Sequence, residues 1–118
     1  MRRIGIVFTA PLAHLRDVVA TVRRTEELGF SSAWQAEDPG GPDAISLLAS
    51  YAATTTRLRL GTAITTPYAR HPALLASTFA ALDDLSGGRT ILCLGAGTGW
   101  WDRLTLYRDA LKPVRDMA

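Results

Sequence analysis

Apolar positions along the chain fall into four short runs with β character, beginning near Arg3, Phe30, Leu58 and Arg89. Each run is followed by apolar residues at helical spacing. The period of roughly 30 residues is that of a strand–helix unit, and strands alternating with helices imply a parallel sheet. The first strand is Ile4–Phe8, ended by Ala10 and Pro11. Leu15, Val18, Val19 and Val22 then share one helical face, with Arg16, Arg23 and Arg24 elsewhere, and Gly29 stands where a helix stops. The second strand is Phe30–Ala36, and the turn-rich segment from Glu37 through Asp38, Pro39 and Gly40 to Gly41 follows it. Asp43 reads as an N-cap, with Ile45, Leu48, Ala49 and Ala52 as the buried stripe of the second helix.

The third run, Leu58 to Ile64, has the length and flanks of a strand buried on both faces. Gly61 inside it marks a bulge or the close approach of another group. After an irregular loop, His71 and Pro72 shape the start of a third helix, proline being accepted in the first turn. That helix shows Leu75, Thr78, Phe79 and Leu82, and Ser86, Gly87 and Gly88 end it. The fourth strand is Thr90–Leu94; Leu104, Tyr107, Leu111 and Val114 then suggest a last helix, kinked or broken by Pro113. No linker or second composition regime interrupts the 118 residues, so the expected fold is one α/β domain over residues 1–118, a (βα)4 unit. A complete (β/α)8 barrel needs eight strands and typically about 250 residues, so the chain supplies half of one.

Composition narrows the function classes. The chain is 47% hydrophobic and 20% charged with a formal charge of +2, and no basic block marks a nucleic-acid surface. The expected partners therefore include no nucleic acid and, with no apolar stretch near the ~20 residues that span a bilayer, no membrane. Cytoplasmic is the expected location. One cysteine excludes an internal disulfide, and its setting in the run Ile91–Leu94 predicts a buried, reduced thiol. The sequence offers no metal cluster, no Ser/His/Asp set and no Cys/His pair at plausible positions.

Three stretches carry a more specific signal: LRLGTAITTPYARHP at Leu58–Pro72, LDDLSGGR at Leu82–Arg89, and LGAG at Leu94–Gly97. Together they resemble the luciferase-like monooxygenase superfamily, FMN- and F420-dependent oxidoreductases built on a (β/α)8 barrel. The likeness runs from Arg3 to about Gly99 and weakens from Trp100 onward. It implies a half-barrel that orients a flavin or deazaflavin ring and acts on a small-molecule substrate. FMN and F420 are not distinguishable at this level, and no catalytic residue is assigned.

The resemblance also implies site residues at the C-terminal ends of the strands, where ligands collect in parallel α/β folds. The ring's centre would rest on a bulge in the third strand with a non-prolyl cis peptide at Ala63–Ile64. Thr65 and Thr66 would hydrogen-bond the ring edge, and Glu37 would face cofactor or substrate hydroxyls. Gly97, Thr98 and Gly99 would hold the phosphate-bearing tail. Asp38 reads as a solvated turn acid, Tyr68 and Arg70 stand near the mouth of the site, and His14 has no evident partner. Asp102 suits a cap for the last helix, and the acid or amide common shortly beyond the glycines in deazaflavin-using relatives is not at its usual place.

Two other readings stay open. ILCLGAGTGWW resembles the glycine-rich first motif of S-adenosylmethionine-dependent methyltransferases, although that motif opens such domains and here stands last. A non-catalytic half-barrel or relic is the other. Four strands alone leave the first and fourth as apolar edges, so the fourth strand of one copy is expected to pair with the first of another, closing eight strands in a C2 homodimer.

Overall fold

The sheet holds four parallel strands, β1 (Gly5–Phe8), β2 (Ser32–Gln35), β3 (Arg59–Thr62) and β4 (Thr90–Ile91), in the order β1-β2-β3-β4. They are joined by helices α1 (Leu15–Glu27), α2 (Ala44–Thr54) and α3 (Pro72–Ser86). The computed structural model describes residues 3–9, 14–37 and 41–96. The expected last helix therefore lies outside the described residues, as do Asp38, Gly97, Thr98, Gly99 and Asp102.

Register fixes which side chains share a face. Ile6 pairs with Ala33 and Ala33 with Leu60, while Val7 pairs with Trp34 and Trp34 with Gly61. Alternation along the strands puts the first set under the helices and the second on the opposite face. Phe8, Ala33 and Leu60 are buried, whereas Val7 is 54% exposed. This is the expected α/β sheet with helices on one face. The consecutive strand order is that of a barrel arc; a doubly wound sheet reverses its order at a switch point.

The covered side is one apolar cluster. Val18 and Val22 of α1, Leu48 and Tyr51 of α2, and Leu75, Phe79 and Leu82 of α3 pack against Phe8, Ala33 and Leu60. In α2 burial is wider than the expected stripe, taking in Ala44, Leu47 and Tyr51, while Ile45 and Ala49 are partly buried. The cause is position: α2 packs against both α1 and α3 as well as the sheet. Tyr51 lies against Phe8 with ring centroids 6.1 Å apart, and its hydroxyl donates to Gln35 Oε1 at 2.6 Å. Burial pushes the Tyr51 phenol pKa up, so it stays a donor.

Helix ends follow the sequence. Asp43 caps α2 by accepting from Ser46 N at 2.7 Å, and His71 caps α3 with Nδ1 accepting from Ala73 N at 3.3 Å, with Pro72 next. Gly87 closes α3 at φ +70°, a left-handed conformation that a side chain resists. Two long-range polar ties then fasten helices to strand starts. The Glu26 carboxylate accepts from Thr56 N (3.0 Å), Arg57 N (2.5 Å) and Leu58 N (2.9 Å). The Arg89 guanidinium donates to Ala52 O (3.1 Å), Thr55 O (2.9 Å), Leu58 O (2.8 Å) and Ser86 O (2.6 Å). A cation at the carbonyl end of α2 also suits the helix dipole.

All four strands are shorter than expected, and for β2 and β4 the hydrogen bonds show why. Phe30 belongs to the turn that closes α1 rather than to β2, since its N–H donates to Thr25 O at 3.2 Å. The regular part of β4 ends at Ile91 because the Thr62 hydroxyl takes over the next rung, donating to Cys93 O (2.8 Å) and accepting from Cys93 N (3.0 Å). Cys93 is half-buried, not buried as expected, because it lies in this interrupted segment beside an open sheet face.

Candidate functional site at the strand ends

Beyond Thr62 the ladder between β3 and β4 is out of step. Gly61 pairs with Ile91 and Thr65 bridges to Leu94, so four steps on the β3 side answer three on the β4 side. One extra residue in one strand is a β-bulge. The ladder resumes at Thr65, whose N–H donates to Cys93 O (3.1 Å) and whose carbonyl accepts from Gly95 N (3.0 Å). Within the bulge the Ala63–Ile64 peptide is cis, at the position the family resemblance implies.

The bulge sorts its side chains by exposure. Ile64 is 37% exposed and lies against Gly95, on the spot a Cβ there would occupy. Ala63 is half-buried. Thr65 is fully buried and Thr66 nearly so. Gly61 itself lies in regular strand, and the close neighbour its sequence position implied is the Trp34 indole. A Cβ on Gly61 would stand 2.5 Å from Trp34 Cζ3. The indole N–H donates to Ser32 Oγ at 3.0 Å.

Below the bulge runs a polar network from two strand-end segments, the one between β2 and α2 and the one between β3 and α3. The Thr65 hydroxyl donates to Glu37 Oε2. Arg70 meets both oxygens of that carboxylate, Nη1 on Oε2 at 2.8 Å and Nη2 on Oε1 at 2.7 Å. Nη2 also reaches Asp43, which is held by the Ser46 amide and hydroxyl at the start of α2. The Arg70 and Glu37 side chains are 17% and 9% exposed. The bond to Glu37, with the charges of Glu37 and Asp43, holds the Arg70 pKa above its ordinary value against burial. For Asp43, burial raises the pKa, but the bonds from Ser46 and the charge of Arg70 outweigh it and hold it low.

Of the residues singled out in the sequence, the structure thus brings together Glu37, Ala63, Ile64 and Thr65. Glu37 meets both Thr65 and Arg70, while Ile64 is exposed. His71 is engaged as the α3 cap, and His14 is the α1 N-cap residue, with no side-chain capping bond. Sequence reasoning did not pair Arg70 with Glu37 and Asp43. Its available signal was spacing: Glu37 and Arg70 are 33 residues apart, about one strand–helix period, which sets them at successive strand ends. A separate groove of about 410 Å³ is bounded by α1 and α2, with Leu15, Val19, Leu47 and Asp43 among its walls, and does not include the bulge. Among the described residues no group of three or more His, Cys, Asp or Glu is arranged to hold a metal, and no helix is long and apolar enough to cross a membrane.

Comparison with known proteins bears on this geometry. The model of the luciferase-like monooxygenase family matches residues 3–117. The 5,10-methylenetetrahydromethanopterin reductase of Methanolobus tindarius is 33% identical over 94% of this chain and 36% of its own length. The F420-dependent glucose-6-phosphate dehydrogenase of Kribbella flavida is 36% identical over 98% of this chain and 41% of its own. Among solved structures, the coenzyme F420 dependent tetrahydromethanopterin reductase of Methanopyrus kandleri superposes with a TM-score of 0.76 at 31% identity, covering 92% of this chain and 30% of that one. The chain thus spans roughly a third to two fifths of the length of these relatives.

Proposed function

The chain belongs to the luciferase-like monooxygenase family, and we propose that it works as a half-barrel of a flavin- or deazaflavin-dependent oxidoreductase. The observation that carries this reading is the bulge after Thr62, which leaves Ile64 exposed and Ala63 half-buried at the strand ends. F420 is the first cofactor to test, because the Kribbella flavida and Methanopyrus kandleri relatives are named for it; FMN is the second.

The residues fit such a group. Ile64 on Gly95, beside Ala63, makes an apolar shelf suited to one face of a flat ring. Bound there, the ring would supply hydride or oxygen chemistry and the protein would supply orientation and exclusion of water. Ala63 and Ile64 carry the ring face, Thr65 and Glu37 support the shelf from below, and Gly97, Thr98 and Gly99 are the proposed holders of the phosphate tail. The substrate is a small molecule.

A second copy is the proposed partner. Among the described residues β1 and β4 each end the sheet with one side unpaired, and Ile4 (59%), Val7 (54%), Leu92 (38%) and Leu94 (48%) are exposed there or nearby. Pairing β4 of one copy with β1 of another would cover them. The cytoplasm is the proposed compartment, a reducing one suiting the free Cys93 thiol.

Native mass spectrometry combined with titration of F420 and FMN tests the reading. The expected result is a dimer that quenches the fluorescence of at least one ring. A monodisperse monomer overturns the pairing. Failure to take up either ring overturns the cofactor reading; the methyltransferase alternative is not favoured, since the luciferase-like family model matches residues 3–117.

A further inference from the structure

We propose that Arg70 is the positioning residue of this site, locking Glu37 and, through it, the Thr65 hydroxyl, so that the bulge offers Ala63 and Ile64 in one fixed arrangement. The inference rests on the proposed cofactor reading for its purpose and on geometry for its substance. Thr65 is where the ladder restarts after the extra residue, with its N–H on Cys93 O and its carbonyl on Gly95 N. Whatever fixes Thr65 therefore fixes the far end of the bulge and the Gly95 backbone under Ile64. The Thr65 side chain is held by Glu37.

Glu37 cannot hold that position unaided. A carboxylate whose side chain is 9% exposed needs its charge answered, and Arg70 answers it at both oxygens. The planar guanidinium sets the carboxylate plane as well as its charge, which a lysine would not do. Asp43 steadies Arg70 from the other side and is itself tied to the first turn of α2. The ends of β2 and β3 and the start of α2 are thereby joined through one side chain. With Arg70 removed, Glu37 would turn toward water and release Thr65.

The test uses the full chain with Arg70→Gln, Arg70→Lys and Thr65→Val, the last deleting the hydroxyl link at nearly constant volume. Amide hydrogen exchange is read at Thr65 and Gly95, with Leu60 at the start of β3 as reference, and F420 and FMN affinity by fluorescence quenching. Arg70→Gln is expected to speed exchange at Thr65 and Gly95 by about tenfold, leave Leu60 unchanged, and weaken ring binding by about tenfold or more. Thr65→Val should do the same at Gly95, and Arg70→Lys should recover part of both effects. Unchanged exchange at Thr65 and Gly95 in Arg70→Gln, or an equal rise at Leu60, overturns the proposal. So does a Thr65→Val protein that behaves as the wild type. Should the wild-type protein take up neither ring, the cofactor reading falls while the exchange arm still decides the role of Arg70.

Discussion

Replacing Arg89 with methionine tests whether the LDDLSGGR stretch acts as a structural clasp. Methionine keeps an unbranched apolar stem, so the change isolates the guanidinium. That group donates to Ser86 O (2.6 Å), Leu58 O (2.8 Å), Thr55 O (2.9 Å), Thr55 Oγ1 (3.0 Å) and Ala52 O (3.1 Å). Hydrogen bonds from a charged donor contribute about 1.5–3 kcal/mol each, but bonds sharing one donor are not additive. Arg89 is half-buried, so water replaces some of what is lost. A net loss of about 3–4 kcal/mol follows, a large part of the 5–15 kcal/mol typical of a domain. With a urea slope of about 1–3 kcal/mol/M, the unfolding midpoint should drop by roughly 1–4 M at an unchanged slope. Arg89→Lys should recover less than half, because one ammonium cannot span α2, the end of α3 and Leu58 together. A midpoint within about 0.3 M of wild type would refute the reasoning and show that water serves these carbonyls equally well.

Two further perturbations probe other features. Gly61→Ala puts a Cβ 2.5 Å from Trp34 Cζ3 and 3.0 Å from Ile91 O, so it should cost about 1–3 kcal/mol, with Trp34→Leu on the same chain recovering part of it; thermal melts of both variants beside the wild type check this. For Glu26, burial raises the pKa, but the amides of Arg57, Leu58 and Thr56 and the charge of Arg57 outweigh it and hold it below the ordinary value. Its folded-state pKa is thus depressed, so its contribution is present above the unfolded value of about 4.3 and is lost as pH falls through the folded value. Urea midpoints measured from about pH 6 to about pH 3 should fall less steeply for Glu26→Gln than for wild type, and identical slopes would refute the assignment.

Local signals in the sequence translated well into structure. Asp43 as a cap, His71 and Pro72 at a helix start, and the glycines after Ser86 all act within a few residues, where side-chain chemistry and spacing suffice. The order of elements also followed from periodicity. What the sequence hid was partner choice across the sheet. Arg89 reaches back 31–37 residues and Glu26 forward 30–32, and nothing local singles out either from the chain's other charged residues. Thr65 illustrates the same limit at the site. The family resemblance implied a donor for a ring edge there, and the partner its hydroxyl takes inside the molecule, Glu37, was not legible. The early end of β4 was equally hidden, since it depends on a threonine hydroxyl from the neighbouring strand.

The consecutive strand order has a consequence for how the chain comes together. Gly5 meets Ser32, Ser32 meets Arg59, and Leu60 meets Thr90, so each strand finds its neighbour about one strand–helix period further on. A ribosome releasing this chain would deliver the units in the order in which they add to the growing sheet, and no early strand need wait for a remote mate. Assembly by accretion, one unit at a time, keeps the loop-closure cost of each step small and of similar size.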